Sequence, residues 1–455
     1  MANDFLVEEI VNEWAPVLDS KDAPAFKDSH RRTVTAVLLN NVQKNLNEEK
    51  IHVPNSMLLE AGIPVNYMGA SSSTPGAGGI DTFDPIMISM VRRGVPNLLP
   101  FDIMGVQPMT GPVGLIFAFR SRYANQTGAE TFYDEVNTMF SSVLSGANTL
   151  GQKHVGSIPG NTSQVGNVVA TGLYNTGSAM SRAQLEALGS TGNTDFPKMA
   201  LSIERSSVEA GGRALASEYT LEMAQDLKNV HGLDARAELI NILSTEIMAE
   251  INREMLRYCN IVASIGAQDD TTTKGIFDLD ADSNGRWSVE KWKGLVYQLD
   301  REANAIAFNT RRGKGNFVIM TADMASALRA ASELDFTPAL KAMEGLNVDP
   351  TGPTFAGVLK SGVKVFIDPY AVGGQYFNMG YKGQSAFDAG LFYCPYIPLQ
   401  MVNAVDPGTY TPKFAFKTRY GVVANPFAEG STKGNGALNP DKNLYYRKVL
   451  VTHLQ

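Results

Sequence analysis

An amphipathic run of about four helical turns constrains the fold of this 455-residue chain more than any other feature. Large apolar residues recur every three or four positions, and Glu and Arg residues occupy the opposite face. Asp234 can cap the first turn of this run, while His231 and Gly232 end a preceding helix. The pattern predicts a long helix against which other elements pack. Its apolar face comprises Ile240, Leu243, Ile247, Ile251 and Met255.

A second amphipathic helix follows Ser288, which is placed to cap it. Several short runs rich in β-branched and aromatic residues predict strands. Helices and strands are mixed without the regular rhythm of parallel βαβ units, and this favours an α+β fold. The predicted strands cover residues 115–120, 317–320, 363–367, 414–423 and 445–451.

Residues 1–60 differ in character from the rest of the chain. Their apolar residues have helical spacing and predict two short amphipathic helices, with Pro16 and Pro24 interrupting between them. Six basic against ten acidic residues give this section a charge of −4, more than half of the net −7. Residues 67–80 are rich in Gly, Ser and Pro and predict a linker or an extended arm.

Residues 124–195 are polar and rich in Gly, Asn, Thr and Ser, with one short helical piece at 181–188. Loops longer than about 15 residues are usually functional or belong to a separate unit, so this stretch predicts an inserted domain. The strand before it ends in Arg120, Ser121, Arg122 and Tyr123, which the pattern predicts to be exposed. Arg120, Arg122 and Tyr123 are candidates for contacts with another subunit.

Composition excludes several classes of protein. Lys and Arg residues are scattered singly in a chain of charge −7, which argues against tight nucleic-acid binding. Charged residues make up 19% of the chain, which indicates either a surface covered by subunit contacts or a charge-poor monomer. Cys259 and Cys394 match no disulfide framework or zinc spacing and predict core residues made in a reducing cytosol. The N-terminus lacks a secretion pattern, and no apolar stretch reaches the ~18–20 residues of a membrane span.

Residues 278–291 invite a calcium-binding interpretation, because Asp280, Asp282, Asn284 and Gly285 match the first half of an EF-hand loop. Calcium also needs a bidentate Glu at the twelfth position, which is Lys291 here. The sequence therefore predicts an acidic turn before the helix, and no metal site.

A catalytic set is not recognisable in the sequence. Neither a nucleophile motif, a zinc-protease motif nor a phosphate loop is present, and the five His residues fall in no known pattern. We therefore predict a protein that is not an enzyme and binds no cofactor. The basic cluster of Arg311, Arg312 and Lys314 is either a solvated loop or one half of a charge contact between subunits.

The run from Met90 to Tyr123, MVRRGVPNLLPFDIMGVQPMTGPVGLIFAFRSRY, resembles the major capsid proteins of T-even-type myoviruses, including cyanophage relatives. Further matches follow in chain order over most of residues 86–455, and the resemblance weakens through 124–195 and in the first 80 residues. These matches cover residues 216–247, 285–287, 378–383, 388–396 and 416–427.

This resemblance implies the HK97-like capsid fold, an α+β architecture with an N-terminal arm, an extended loop, a peripheral domain with a spine helix, an axial domain and here an inserted domain. The implied division is 1–60 removable propeptide, 61–112 arm, 113–123 and 196–215 extended-loop hairpin, 124–195 insertion domain, 216–291 peripheral domain, 292–412 axial domain and 413–455 return to the peripheral domain.

The resemblance also implies a function. Such proteins are made in the host bacterial cytoplasm and form hexamers in the head shell of the virion, which encloses double-stranded DNA without sequence-specific binding. Implied partners are further copies of the chain, a vertex protein, a scaffold, a prohead protease, the portal and outer decoration proteins. The family's precursors are cleaved after Leu/Ile-x-Glu, which here places the bond at Glu60–Ala61 in the segment Leu58-Leu59-Glu60-Ala61.

Two alternatives follow from other features of the chain. A pentameric capsid vertex protein shares the fold, although residues 96–123 and 416–427 are more similar to the hexamer protein. A calcium- or carbohydrate-binding protein could be built on the 278–290 turn and the 124–195 module.

Overall fold

The computed structural model describes residues 2–19, 26, 28–52, 98–131, 136–142, 179–191, 195–269, 271–283, 285–331, 334–335, 354–371, 374–385, 387–405, 408, 411–430 and 436–454. Helices and strands are mixed throughout these ranges, which confirms the predicted α+β class. The described helices are α1 (Ala2–Leu18), α2 (Ser29–His52), α3 (Pro100–Ile103), α4 (Arg182–Ala187), α5 (Leu221–His231), α6 (Ala235–Val262), α7 (Ser288–Thr310) and α8 (Ala322–Ala330).

The long helix predicted from the apolar repeat is α6, and its predicted start and the end of α5 are confirmed. The Asp234 carboxylate accepts a hydrogen bond from the Arg236 backbone N–H, so it caps α6. Gly232 ends α5 at φ +69°, a left-handed conformation that costs glycine least. The buried side of α6 contains Ile240, Ile247, Ile251 and Met255.

Helix α6 is tied by ion pairs to strands on both sides of the molecule. Arg213 contacts Glu250 at 2.8 Å and Glu254 at 2.7 Å, and Arg253 contacts the buried Asp368 at 2.6 Å. These pairs join α6 to strands of two different sheets, so the helix connects the two halves of the body.

The larger sheet has eight strands in the order β5-β14-β11-β7-β10-β9-β8, with β6 pairing beside β14. Helices α7 and α8 pack against it. Its strands are β5 (Ala263–Ile265), β6 (Ile276–Asp278), β7 (Phe317–Thr321), β8 (Leu334–Asp335), β9 (Thr354–Leu359), β10 (Lys364–Asp368), β11 (Gln375–Gly380) and β14 (Asn443–Thr452).

The smaller sheet has the order β1-β12-β13-β4. Its strands are β1 (Gly105–Val106), β4 (Gly211–Glu218), β12 (Leu391–Val405) and β13 (Pro412–Ala424). The C-terminal segment contributes to both sheets, because β13 lies in this sheet and β14 in the larger one.

A separate ribbon is formed by β2 (Val113–Tyr123) and β3 (Met199–Glu209), which pair antiparallel from Val113↔Glu209 to Tyr123↔Met199 without a register shift. Residues 124–198 connect the two strands, so the predicted insertion lies at the far end of this hairpin.

The N-terminal helices share one hydrophobic core with the body. Trp14, Leu18 and Leu38 are buried in the same cluster as Phe101 and Val106. Although Pro16 lacks an amide donor, α1 continues two residues beyond it to Leu18.

Polar contacts fix α2 in place. The Asn41 amide donates to the carbonyl oxygens of Met109 at 2.7 Å and Tyr396 at 2.9 Å, and Arg31 pairs with Asp102 at 2.7 Å. The sequence alone did not predict this docking.

The prediction that Ser288 caps the second amphipathic helix is wrong by one residue. Trp287 occupies the N-cap position because its backbone is extended (φ −108°, ψ 148°), and Ser288 is the first helical residue. The Trp287 side chain supplies no capping hydrogen bond.

Candidate intersubunit surface

The outer face of the β2–β3 hairpin is apolar and exposed. Alternate residues of a strand point to the same side, and the paired register places those of β2 beside those of β3. The large apolar side chains of this face are between 49% and 62% exposed. They are Val113, Leu115, Phe117, Phe119, Met199, Leu201 and Ile203. Exposed apolar surface of this kind is typical of a site that binds another molecule.

The inner face of the hairpin packs against its own subunit. Ile116 and Val208 are buried in a cluster with Met109, Phe392 and Val423 of the body. The hairpin is thus held on one side by the subunit that carries it, and its other side is open to a neighbour.

Arg120 lies on the inner face and is 1% exposed, so the prediction that it is exposed is wrong. Its guanidinium contacts Glu130 at 3.1 Å and Glu204 at 3.3 Å and donates to the Pro426 carbonyl at 3.2 Å. The same group lies 4.3 Å from the centre of the Phe427 ring. Arg120 is buried because these two carboxylates neutralise its charge inside the subunit.

Arg122 and Tyr123 are partly buried at the far end of β2. Arg122 donates to the Gly128 carbonyl at 2.9 Å and contacts Glu204 at 3.6 Å. The Tyr123 ring packs against Phe140 with 4.4 Å between ring centres. Both side chains therefore hold the first residues of the insertion against β2, while part of each remains exposed.

A cavity of about 330 Å³ lies where the hairpin meets the C-terminal end of α7. Its lining includes Phe119 and Leu201 from the outer face of the hairpin, together with Arg120, Arg311 and Arg312. Arg311 ends α7 with a left-handed backbone (φ +54°), and its guanidinium lies 4.4 Å from the centre of the Phe308 ring.

Three of the predicted contact residues, Arg120, Arg311 and Arg312, thus meet at one cavity although about 190 positions of chain separate them. Lys314 is not among the residues that line it, and its ammonium pairs with Asp300 at 3.2 Å. The basic cluster therefore divides into two arginines at the cavity and one lysine beyond the end of α7, whose partner Asp300 lies on that helix.

Glu130 also lines this cavity, and its role was not predicted. Burial raises the pKa of its carboxyl group, which the nearby Arg120 and Arg122 oppose. A single Glu in a polar, weakly patterned stretch carries no sequence signal that would have identified it.

The residues of the predicted cleavage site, Leu58, Glu60 and Ala61, lie outside the described part of the chain. The interpretation of that segment consequently remains a prediction.

The acidic turn places oxygens of Asp278 and Asp280 and Nδ1 of His453 within 4.8 Å of one another. Each group already has a partner, since His453 contacts Asp278 at 2.8 Å and the Lys291 ammonium binds Asp280. A hydrogen bond from the Asp280 backbone, together with His453, lowers the pKa of Asp278. Lys291 occupies the position where calcium-binding loops carry Glu, so this turn has a positive charge where calcium needs a carboxylate.

Cys259 and Cys394 are both buried, as predicted. Burial raises the pKa of the Cys394 thiol to about 12 and that of Cys259 further still. Both thiols are therefore protonated and poor nucleophiles. Among the described residues, no helix combines the length and apolar character needed to cross a membrane.

Together, the α+β body and the projecting hairpin with an open apolar face define a class of protein: a subunit that is completed by other chains. The profile of the family described as Major capsid protein Gp23 matches residues 80–451. The chain belongs to this family of phage major capsid proteins.

Individual relatives extend over the full length. The chain is 36% identical to a major capsid protein of Serratia phage KSP90, with 100% of both chains covered. It is 32% identical to that of Enterobacteria phage T4, over 97% of this chain and 98% of the relative. The capsid vertex protein of the same phage is 27% identical over 47% of this chain and 50% of its own.

Solved phage capsids are more distant. The capsid of Myoviridae phage XM1 has a TM-score of 0.37 at 10% identity, covering 76% of this chain and 90% of that one. Microbacterium phage Oxtober96 has a TM-score of 0.39 at 9% identity, covering 88% and 99%.

The family establishes what the chain is. It is a structural protein of the virion head shell and not an enzyme, and it assembles with further copies of itself. Full-length similarity to major capsid proteins also favours this assignment over a vertex protein, and a calcium- or carbohydrate-binding role finds no support.

Proposed function

We propose that the chain forms hexamers and a closed lattice in which the outer face of the β2–β3 hairpin is covered by a neighbouring copy. The observation that carries this proposal is the row of large apolar side chains, each about half exposed, on one side of the hairpin. Leaving such a surface in water costs roughly 25 cal/mol for each Å² that a partner could bury.

A neighbouring copy is the partner that fits best. A shell repeats one protein many times, so the same outer face meets the same surface at every position of the lattice. The inner face of the hairpin is already bound to its own subunit through Ile116 and Val208. Because these contacts already hold the hairpin on the body, less conformational entropy is lost when a neighbour binds its outer face.

This proposal is tested with Phe117→Ser and Phe119→Ser in the full-length chain. Both side chains are more than half exposed, so the urea midpoint of the unassembled chain should remain unchanged, while the yield of shells in electron micrographs should fall sharply. Phe387→Ser is the matched control, because Phe387 is 67% exposed but lies outside the hairpin. Normal shell yield from both hairpin variants would rule out this contact.

We further propose that residues 1–60 are a propeptide removed by a prohead protease at Glu60–Ala61. The segment joins an acidic, helical section to the Gly-, Ser- and Pro-rich stretch, and such boundaries are where proteases find accessible chain. N-terminal sequencing of protein from mature heads should give Ala61, and Glu60→Gln should leave full-length chain in the particles. Any other mature N-terminus would contradict this bond.

The remaining partners follow from the family resemblance. Scaffold, portal, vertex and outer decoration proteins would contact the assembled lattice, and the shell would enclose double-stranded DNA without reading its sequence. The net charge of −7 supports a wall that DNA does not bind tightly. The domain boundaries given above, including 292–412 for the axial domain, are proposed on the same basis.

A further inference from the structure

The cavity between the hairpin and the C-terminal end of α7 is continuous with the surface that we assign to a neighbouring copy. Phe119 and Leu201 belong both to the outer face of the hairpin and to the cavity lining. A chain that covers the outer face therefore also reaches the mouth of the cavity. At ~30 Å³ for each water molecule, a volume of about 330 Å³ is larger than one acidic side chain requires.

The charged groups of this cavity are unequal in number. Three arginines and one glutamate line it: Arg120, Arg311, Arg312 and Glu130. Glu130 is bound to Arg120 at 3.1 Å, and Glu204 contacts that same arginine at 3.3 Å. Among the residues that the structure describes, neither Arg311 nor Arg312 has a carboxylate within ion-pair distance. Positive charge therefore remains at the mouth of the cavity.

We propose that this cavity binds a carboxylate side chain, Asp or Glu, from a neighbouring copy of the chain, held between Arg311 and Arg312. The inference rests on the proposed contact between copies and adds the chemistry of one ion pair within that contact. Guanidinium groups bind carboxylates through two parallel N–H···O bonds, so a pair of them fixes position as well as charge.

The composition of the chain supplies the complementary group. Each copy carries 46 acidic against 39 basic residues, so carboxylates without a basic partner are in excess on every neighbour. The apolar wall formed by Phe119 and Leu201 suits the methylene groups of an acidic side chain better than a DNA phosphate. Partial enclosure would also strengthen the charge contact relative to one in open water.

Cross-linking in assembled shells tests the proposal. Arg312→Lys places a primary amine at the cavity, and a carbodiimide joins amines only to carboxylates in direct contact, with loss of water. Shells are assembled from a mixture of chains labelled with light and heavy nitrogen, so that mass spectrometry separates links within one copy from links between copies. Lys314, which contacts Asp300 of its own copy, is the internal control.

The expected result is a link between Lys at position 312 and an Asp or Glu of mixed isotope label, with the Lys314–Asp300 link showing a single label. A link only to Glu130 of the same copy would overturn the proposal, and so would no link at position 312 where the control link forms. If no shells form even from the unchanged chain, the proposed assembly function itself fails.

Charge reversal provides a second test that does not depend on cross-linking. The double variant Arg311→Glu with Arg312→Glu is expected to reduce shell yield at least tenfold without changing the urea midpoint of the unassembled chain. Lys314→Glu should have a much smaller effect on shell yield. Wild-type yield from the double variant would refute a carboxylate contact.

Discussion

Replacing Arg120 by methionine should weaken the attachment of the hairpin to its own subunit. The substitution removes the guanidinium but keeps a long apolar side chain against Phe427. Glu130 and Glu204, whose side chains are 12% and 10% exposed, would then lie buried without their central partner. Removing one member of a buried ion pair costs about 3–5 kcal/mol, and we expect a loss of stability in that range.

The matched control is Arg122→Met on the same strand. Its side chain is 20% exposed and lies 3.6 Å from Glu204, which is a weaker and more solvated contact. Such pairs contribute about 0–1 kcal/mol and the hydrogen bond to the Gly128 carbonyl about 0.5–1.5 kcal/mol, so the control should lose no more than about 2.5 kcal/mol. Urea unfolding, together with hydrogen exchange of the amides in β2 and β3, measures both the global and the local effect.

The effect of Arg120→Met should also depend on pH. Burial already raises the pKa of the Glu130 carboxyl group in the folded chain, and removing the opposing Arg120 guanidinium should raise it further. The folded variant then binds more protons than its unfolded chain, so its stability rises relative to wild type as the pH falls from neutral. A deficit below about 1 kcal/mol at neutral pH, or one that acid does not reduce, would refute this account of the buried arginine.

Two further substitutions test other buried polar groups. Asn41→Leu leaves the carbonyl oxygens of Met109 and Tyr396 without their amide donor and should cost about 1–3 kcal/mol of stability. Hydrogen exchange of the α2 amides should become faster. Unchanged exchange would contradict the anchoring of α2 by Asn41. Burial lowers the pKa of Lys382 from 10.5 to about 8, so the folded chain binds fewer protons than the unfolded chain between these values. In urea unfolding, the stability of the wild type relative to that of Lys382→Met should therefore rise by up to about 3 kcal/mol across that range.

Local sequence patterns predicted the elements whose formation depends on residues close together in the chain. The apolar repeat identified α6, and Gly232 and Asp234 located the break before it, because helix periodicity and capping depend on neighbouring residues. The strand predicted at 115–120 was confirmed within β2, although its true bounds are Val113–Tyr123.

Features that depend on distant residues could not be predicted in this way. Arg120 was expected at the surface because the local pattern shows only a charged residue at the end of a strand. Its charge is neutralised by Glu130 and Glu204, and nothing in the local sequence indicates that these two residues contact it. The cavity likewise joins a hairpin to the end of α7, and only the tertiary fold brings Arg312 to Phe119. Residue types suggested that Arg311 and Arg312 make contacts, but the structure was needed to separate them from Lys314.

The shared core of the N-terminal helices and the body bears on whether the subunit could refold after processing. Trp14 and Leu38 are buried with Phe101, so these helices contribute to the core that holds the segment leading into the hairpin. If residues 1–60 are removed as proposed, each subunit loses polypeptide that had guided its folding, and hydrolysis cannot be undone in the particle. The mature subunit would then occupy a state that its remaining sequence need not be able to reach alone. Unfolding of such a head would be irreversible, and its lifetime would be set by the barrier to unfolding and not by a folding equilibrium.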